Sequence, residues 1–262
     1  MTFFNYKIIS PKLISGVDYN LKQIEVRGFV FKELRAIASS NIKMWDTNAI
    51  IEYYGKSEVI RLIDKEDNIQ PLTILNRDDL FILMYFVNIL TSPDYKMTYS
   101  VICPECGNKI TFDVMIDNIE YENQVPSEVP IYFNDFKVTL KRPSLKDLLE
   151  VDEFAEKSPY EKEDIVMASM MEVEPITDKS KEFVSKIGME GLELNLTILD
   201  ILTTKEIVEL IDVIREMKPS IKPFDVECKC GFKTKTSIDI ELKDILPTDG
   251  LEIFDEFRNI SK

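Results

Sequence analysis

No histidine occurs anywhere in the 262 residues. Its absence removes the commonest general base, the commonest catalytic zinc ligand and every serine–histidine or cysteine–histidine nucleophile arrangement. Glycine is scarce too, eight residues scattered along the chain with no glycine-rich phosphate loop. No run approaches the eighteen or so apolar residues of a membrane span, and the longest, Leu80 to Leu90, is broken by Asn88 and fits a buried helix. The opening Met1-Thr-Phe-Phe-Asn-Tyr-Lys7 lacks the layout of a signal peptide. Positive charge is in deficit, 32 Lys and Arg against 47 Asp and Glu for a net charge of −15, and a chain of that sign repels phosphate backbones. These absences predict a cytosolic protein that is not an enzyme, has no membrane span and does not favour nucleic acid. Hydrophobic residues make up 45% of the chain, ample for one large or two modest cores.

Cysteine is also rare, but its four copies are arranged as two knuckles, Cys103-Pro-Glu-Cys106-Gly107 and Cys228-Lys-Cys230-Gly231. Four thiolates suit the tetrahedral, soft-ligand coordination of structural zinc, and a glycine after each pair lets the backbone turn tightly under a metal. About 120 residues separate the pairs, and the second is Cys-x-Cys, so local zinc-finger spacing does not apply. The flanks repeat, however. Tyr99-Ser-Val-Ile leads into the first knuckle and Lys109-Ile-Thr-Phe-Asp-Val leads out. Phe224-Asp-Val-Glu leads into the second and Lys233-Thr-Lys-Thr leads out. Each is a hairpin signature of β-branched and aromatic residues. The prediction is one shared structural zinc site with Cys103, Cys106, Cys228 and Cys230 as ligands, in a zinc ribbon split into two hairpins. A redox dithiol at Cys103 and Cys106 would need the first cysteine at a helix N-terminus, whereas Gly107 onward reads as a strand. Lys222, Lys229, Lys233 and Lys235 surround the second knuckle; they offset an anionic metal–thiolate centre, with Lys233 and Lys235 on one strand face.

The pattern as a whole is α+β. Residues 1–96 form a mixed region: a strand over Leu21 to Arg27, a helix from Phe31, and helical spacing of Ile50, Ile51, Tyr54, Val59, Ile60 and Ile63. Its clearest helix is capped by Asn76, carries Asp78 and Asp79 in the first turn, is apolar nearly all round from Leu80 to Ile89, and stops at Ser92-Pro93. Residues 97–123 and 220–246 hold the two ribbon halves. Between them, 124–219 is too long for a loop. Val129 to Phe133 and Phe136 to Arg142 read as a hairpin about Asn134-Asp135. Helices follow from Leu145, capped by Ser144, to about Glu156, and over Glu161 to Met171, Lys179 to Ile187 and Leu194 to Leu202. A capping box at Thr203-Thr-Lys-Glu206 opens another to about Met217, its stripe of Ile207, Leu210, Ile211 and Ile214 facing inward. Residues 247–262 hold a short terminal helix.

Two segments are candidate contact surfaces. Asp152, Glu153, Glu156, Glu161, Glu163, Asp164 and Glu172 crowd the insert, either as a solvated helix face or as a docking surface for a basic partner. Met167, Met170 and Met171 beside them read as core. Leu251, Phe254 and Phe257 form an aromatic face on the terminal helix that caps the core or docks on a neighbour.

Taken together, Leu75-Asn-Arg-Asp-Asp-Leu-Phe-Ile-Leu-Met-Tyr-Phe-Val-Asn-Ile-Leu90, Tyr95, Ile102-Cys-Pro-Glu-Cys-Gly107 and Asp113-Val-Met-Ile116 resemble the baseplate hub assembly proteins of T-even-type contractile-tailed bacteriophages. The segments Ile131-Tyr-Phe, Val138-Thr-Leu-Lys-Arg-Pro-Ser144, Phe224 to Gly231 and Ile245-Leu-Pro247 are similar to that family's second half. The resemblance covers roughly residues 70 to 155 and 220 to 248 and implies a non-enzymatic tail protein in the virion baseplate hub, or in the host cytoplasm during assembly, whose partners are other tail proteins. Two other readings compete. The ribbon and its four lysines favour a nucleic-acid-binding or RNA-polymerase-associated protein, which the net charge opposes; nothing in the spacing argues for a carboxylate-dependent hydrolase.

Overall fold

The computed structural model describes residues 5–39, 47–92, 94–122, 126–133 and 135–238. In chain order the strands and helices of its first part are β1 (Lys7–Ile9), β2 (Leu21–Val26), α1 (Phe31–Ser39), α2 (Thr47–Lys56), β3 (Ile60–Asp64), β4 (Ile69–Gln70) and α3 (Arg77–Thr91). Next come β5 (Met97–Ile102), β6 (Lys109–Val114), β7 (Glu128–Tyr132), β8 (Phe136–Lys141), α4 (Leu145–Ala155), α5 (Lys162–Ser169), β9 (Met171–Pro175), α6 (Asp178–Ile187), α7 (Gly191–Ile201), α8 (Thr204–Glu216), β10 (Phe224–Glu227) and β11 (Lys233–Thr236). Helices and small antiparallel sheets alternate, and the class is α+β.

α3 organises the first core. Its sequence is apolar nearly all round, and Leu80, Ile82, Leu83, Met84, Tyr85, Phe86, Val87 and Ile89 are all buried. Each such side chain contributes about 1.5–3 kcal/mol by leaving water. The antiparallel sheet β1-β2-β3-β4 covers one side of the helix through Ile24, Val26 and Leu62, while Val114, Ile116, Leu145 and Ile221 close the others.

The start of α3 carries more than a cap. Asn76 accepts from the Asp79 amide, as a good N-cap should. Asp79 is itself fully buried and accepts from the Ser15 amide (2.9 Å), the Ser15 hydroxyl, the Tyr19 hydroxyl (2.6 Å) and the Asn76 side-chain amide (3.0 Å). A buried carboxylate is tolerable here because donors surround it and the helix N-terminus faces it. Burial first, and Asp79's charge second, hold the Tyr19 hydroxyl protonated far above its ordinary range, so it stays a donor. At the other end of the helix, Gly28 lies so close that a Cβ would sit 2.3 Å from the Leu90 carbonyl oxygen.

The insert builds its own core. β7, β8 and β9 form an antiparallel sheet, and Val138, Leu140, Met171, Leu194, Ile198 and Leu210 pack between it and the helices. A smaller cluster of Val151, Ile165, Ala168 and Leu196 joins α4, α5 and α7. Capping boxes at Ser144 and Thr203 start α4 and α8 as expected, and Leu210 of the α8 stripe is wholly buried. The insert is fastened to the first core by the Leu145 amide donating to the Leu75 carbonyl (2.7 Å) and by the buried Arg142, which reaches Asp78 and the Met217 carbonyl.

Two expectations need correction. The helical spacing assigned through Ile63 ends earlier: α2 stops at Lys56, Glu58 turns the chain at φ 52°, Val59 accepts from the Arg27 amide, and Ile60 and Ile63 belong to β3, the strand pairing β2. β-branched residues with a partner strand outweigh a helical period that happened to extend across the turn. Likewise Met171 begins β9 instead of ending a helix. Met171-Glu-Val-Glu-Pro175 alternates buried and exposed, and Glu172 and Glu174 pair with Lys141 and Lys137 across the sheet. The terminal helix with Leu251, Phe254 and Phe257 lies outside the described residues, as do Pro93 and Asn134.

Two substitutions check this account in urea unfolding. Gly28→Ala should cost about 1–3 kcal/mol, because the obstacle is backbone and cannot rotate away; an unchanged midpoint would mean the loop is not held against α3. Asp79→Ala leaves several buried donors without an acceptor and should cost on the order of 3 kcal/mol, and a loss under about 1 kcal/mol would show the network to be incidental.

Candidate metal centre

Both cysteine knuckles are built the same way. In the first, β5 and β6 pair in register down to Ile102 and Lys109. The Cys103 amide then donates to the Asn108 carbonyl (2.8 Å), and the Gly107 amide donates to the Cys103 carbonyl (2.9 Å). In the second, β10 and β11 pair down to Glu227 and Lys233, the Cys228 amide donates to the Phe232 carbonyl (2.8 Å), and the Gly231 amide donates to the Cys228 carbonyl (2.8 Å). Gly107 and Gly231 both take positive φ, 70° and 90°, with open space where a Cβ would be. Backbone conformation, not crowding, requires glycine there.

Backbone pairing below the hairpins places them side by side. Tyr121 bridges Ile221, the Glu122 amide donates to the Ser220 carbonyl (2.9 Å) and the Lys222 amide to the Glu120 carbonyl (2.8 Å). Side chains continue the join. The Tyr85 and Tyr99 hydroxyls meet at 3.0 Å, the Tyr99 ring stacks on Phe112 with centroids 6.0 Å apart, and Phe112 meets Phe224 across the hairpins at 5.8 Å. An aromatic chain thus runs from α3 to the knuckles, whose own small core contains Ile110 and Val226.

This arrangement brings all four cysteines together. Their Sγ atoms lie within 4.8 Å of one another, and across the hairpins Cys106 is 3.5 Å from Cys228 and Cys103 is 3.8 Å from Cys230. Four sulfurs at the usual Zn–S distance of about 2.3 Å on a tetrahedron lie about 3.8 Å apart. A disulfide needs about 2.05 Å, so these are free thiols, at separations compatible with a shared metal ion. Cys103 and Cys228, the first of each pair, are buried; Cys106 and Cys230 are exposed.

The electrostatics point the same way. Burial opposes ionisation of Cys103, but the amides of Cys106 and Glu105 and the neighbouring thiols bring it down to about 7. For Cys228 the Cys230 amide pulls downward, yet burial and the thiols of Cys230, Cys106 and Cys103 outweigh it and push it up to about 12. Four thiols this close cannot all ionise unless a cation joins them.

The lysines around the second knuckle are largely committed. Lys222 pairs with Glu120 (2.8 Å), Lys233 with Glu227 (3.2 Å) and Lys235 with Asp225 (4.0 Å), the last two on the solvent face of the hairpin as the strand period required. Among the described residues Lys229 alone of the four has no ion pair. Of the insert's candidate contact residues, Glu153 on α4, Glu156 at its C-terminal end and Asp164 in the first turn of α5 are exposed, while Asp152 is half-buried and pairs with Lys162 (2.7 Å). No helix among the described residues is long and apolar enough to cross a membrane.

A family model described as T4 bacteriophage base plate protein matches residues 14–246. The chain belongs to that family. Comparisons with curated proteins and with solved structures found no match. In this base plate protein the matched span contains α3, the insert and both knuckles, so all four cysteines lie within it. Sequence reasoning paired the knuckles but missed the aromatic chain and the Tyr121–Ile221 bridge. Their only trace was an aromatic or β-branched residue just outside each hairpin.

Phe112→Ala tests the join. Removing a half-buried ring held between Tyr99 and Phe224 should cost about 2–3 kcal/mol and speed the alkylation of Cys103 and Cys228 by iodoacetamide in metal-free protein. Alkylation at the wild-type rate would show that the hairpins stay closed without the rings.

Proposed function

We propose that this chain is a non-enzymatic structural or assembly protein of the central hub of a phage tail baseplate, held together by a structural zinc ion and acting through contacts with other tail proteins. The family match over residues 14–246 carries the reading. The zinc assignment rests on the four Sγ atoms: Cys103, Cys106, Cys228 and Cys230 would hold the ion, which would neutralise their thiolates and cross-link the two hairpins. A site with four protein ligands leaves no open position for water or substrate, and a chain without histidine has little else for acid–base work. The nucleic-acid reading loses support where its lysines are tied up in ion pairs.

Elemental analysis of purified protein should find one zinc per chain, and Cys228→Ser with Cys230→Ser should abolish it, because either knuckle alone supplies half a ligand set. Structural zinc in finger peptides is worth roughly 10–16 kcal/mol of coupled folding. This chain has cores of its own, so chelation should instead lower the melting temperature by on the order of 10 °C. Zinc-free native protein, or zinc retained by the double variant, would overturn the assignment. Mass spectrometry of purified particles and of isolated hubs should find the chain in one of them or in hub assembly intermediates; its confinement to other tail substructures would overturn the hub placement.

A further inference from the structure

We propose that the groove between α4 and α7 seats a basic, apolar segment of a different protein. The proposal rests on the reading of the chain as a contact-making base plate component and gives that contact a place. The groove encloses about 610 Å³ where the turn after α4 meets the first half of α7. Phe154, Pro159, Tyr160, Met189 and Leu196 supply its apolar lining. Leu196 is buried in the cluster with Val151, Ile165 and Ala168, so the floor is backed by packed core. The Tyr160 hydroxyl donates to Asp200 (2.9 Å) and fixes one wall. Met189 is 40% exposed, a large flexible thioether facing solvent at the groove; such side chains repack around varied apolar partners.

The rim selects the partner's charge. Glu150, Glu153 and Glu193 line it against the single cation Lys157. Glu150 has only a long, exposed pair with Lys146 (3.8 Å), and Glu153 and Glu193 have no ion pair among the described residues. An apolar floor under free carboxylates fits leucine-, methionine- or phenylalanine-like side chains flanked by Lys or Arg. A nucleic acid is repelled by this rim, and a second copy of a chain with net charge −15 is repelled as a whole. The occupant is therefore another protein.

The test uses the full-length protein and a fluorescein-labelled amphipathic peptide of leucine and lysine, with one control peptide carrying glutamate for lysine and another serine for leucine. The leucine–lysine peptide should bind and protect residues 150–160 and 189–197 from hydrogen exchange, and neither control should bind. Glu153→Lys with Glu193→Lys should weaken binding at least tenfold with an unchanged circular dichroism spectrum. Glu66→Lys with Glu209→Lys alters net charge equally at exposed sites outside the groove and should cost less than threefold. Equal losses in the two variants, binding of either control, or protection elsewhere would overturn the groove. Phage complementation separates the two levels of the argument. If particles need the wild-type chain but assemble normally with the groove variant, the groove is wrong and the base plate reading stands; if particles neither need nor contain the wild-type chain, the base plate reading itself falls.

Discussion

The backbone seam between residues 120–122 and 220–222 is the constraint on which the rest of the molecule depends. It joins the two ends of a long insert, and only because it holds can hairpins so distant in sequence lie against each other. Closing so long a loop costs entropy, though the cost grows only slowly with length. The insert offsets that cost by folding on its own core, with its start and end fastened to the same region through Leu145 and Arg142. The cysteines then meet as a result of this closure.

α3 is the other fixed point. Its buried Asp79 gathers Ser15, Tyr19 and Asn76 around the helix start, while Gly28 and Thr91 secure its end. Because Tyr85 on the same helix reaches Tyr99, the position of the knuckles is referred back to α3 through a row of rings. Polar satisfaction, packing and hairpin placement are therefore coupled: loosening the helix would be felt at the sulfurs.

What could be read from the chain divides along the range of the forces involved. The starts of α3, α4 and α8 were legible because a cap and the amide it accepts from are three residues apart. The cysteine cluster was legible because its residues are rare and their flanks repeat. β9 was missed although its alternation was visible, since its first residue, Met171, also fits the end of the preceding helix and the four after it are too short a run to announce a strand, and β3 was lost to an accidental helical spacing of Val59, Ile60 and Ile63. The seam left almost no mark, because backbone atoms make it and any residue supplies those. The groove was invisible for a similar reason: Phe154 and Tyr160 meet Leu196 only once three helices have packed.

Each knuckle turns its first sulfur inward and its second outward. The cysteine cluster consequently has two sides, one resting on Ile110, Val226 and the surrounding rings, the other in contact with water. An alkylating agent or oxidant arriving from solvent meets Cys106 and Cys230 first, one from each hairpin. Reaction therefore proceeds from the outside, and the last cysteines reached, Cys103 and Cys228, also belong to different hairpins. Modification of the outer two leaves one intact cysteine on each hairpin, so neither half is stripped before the other.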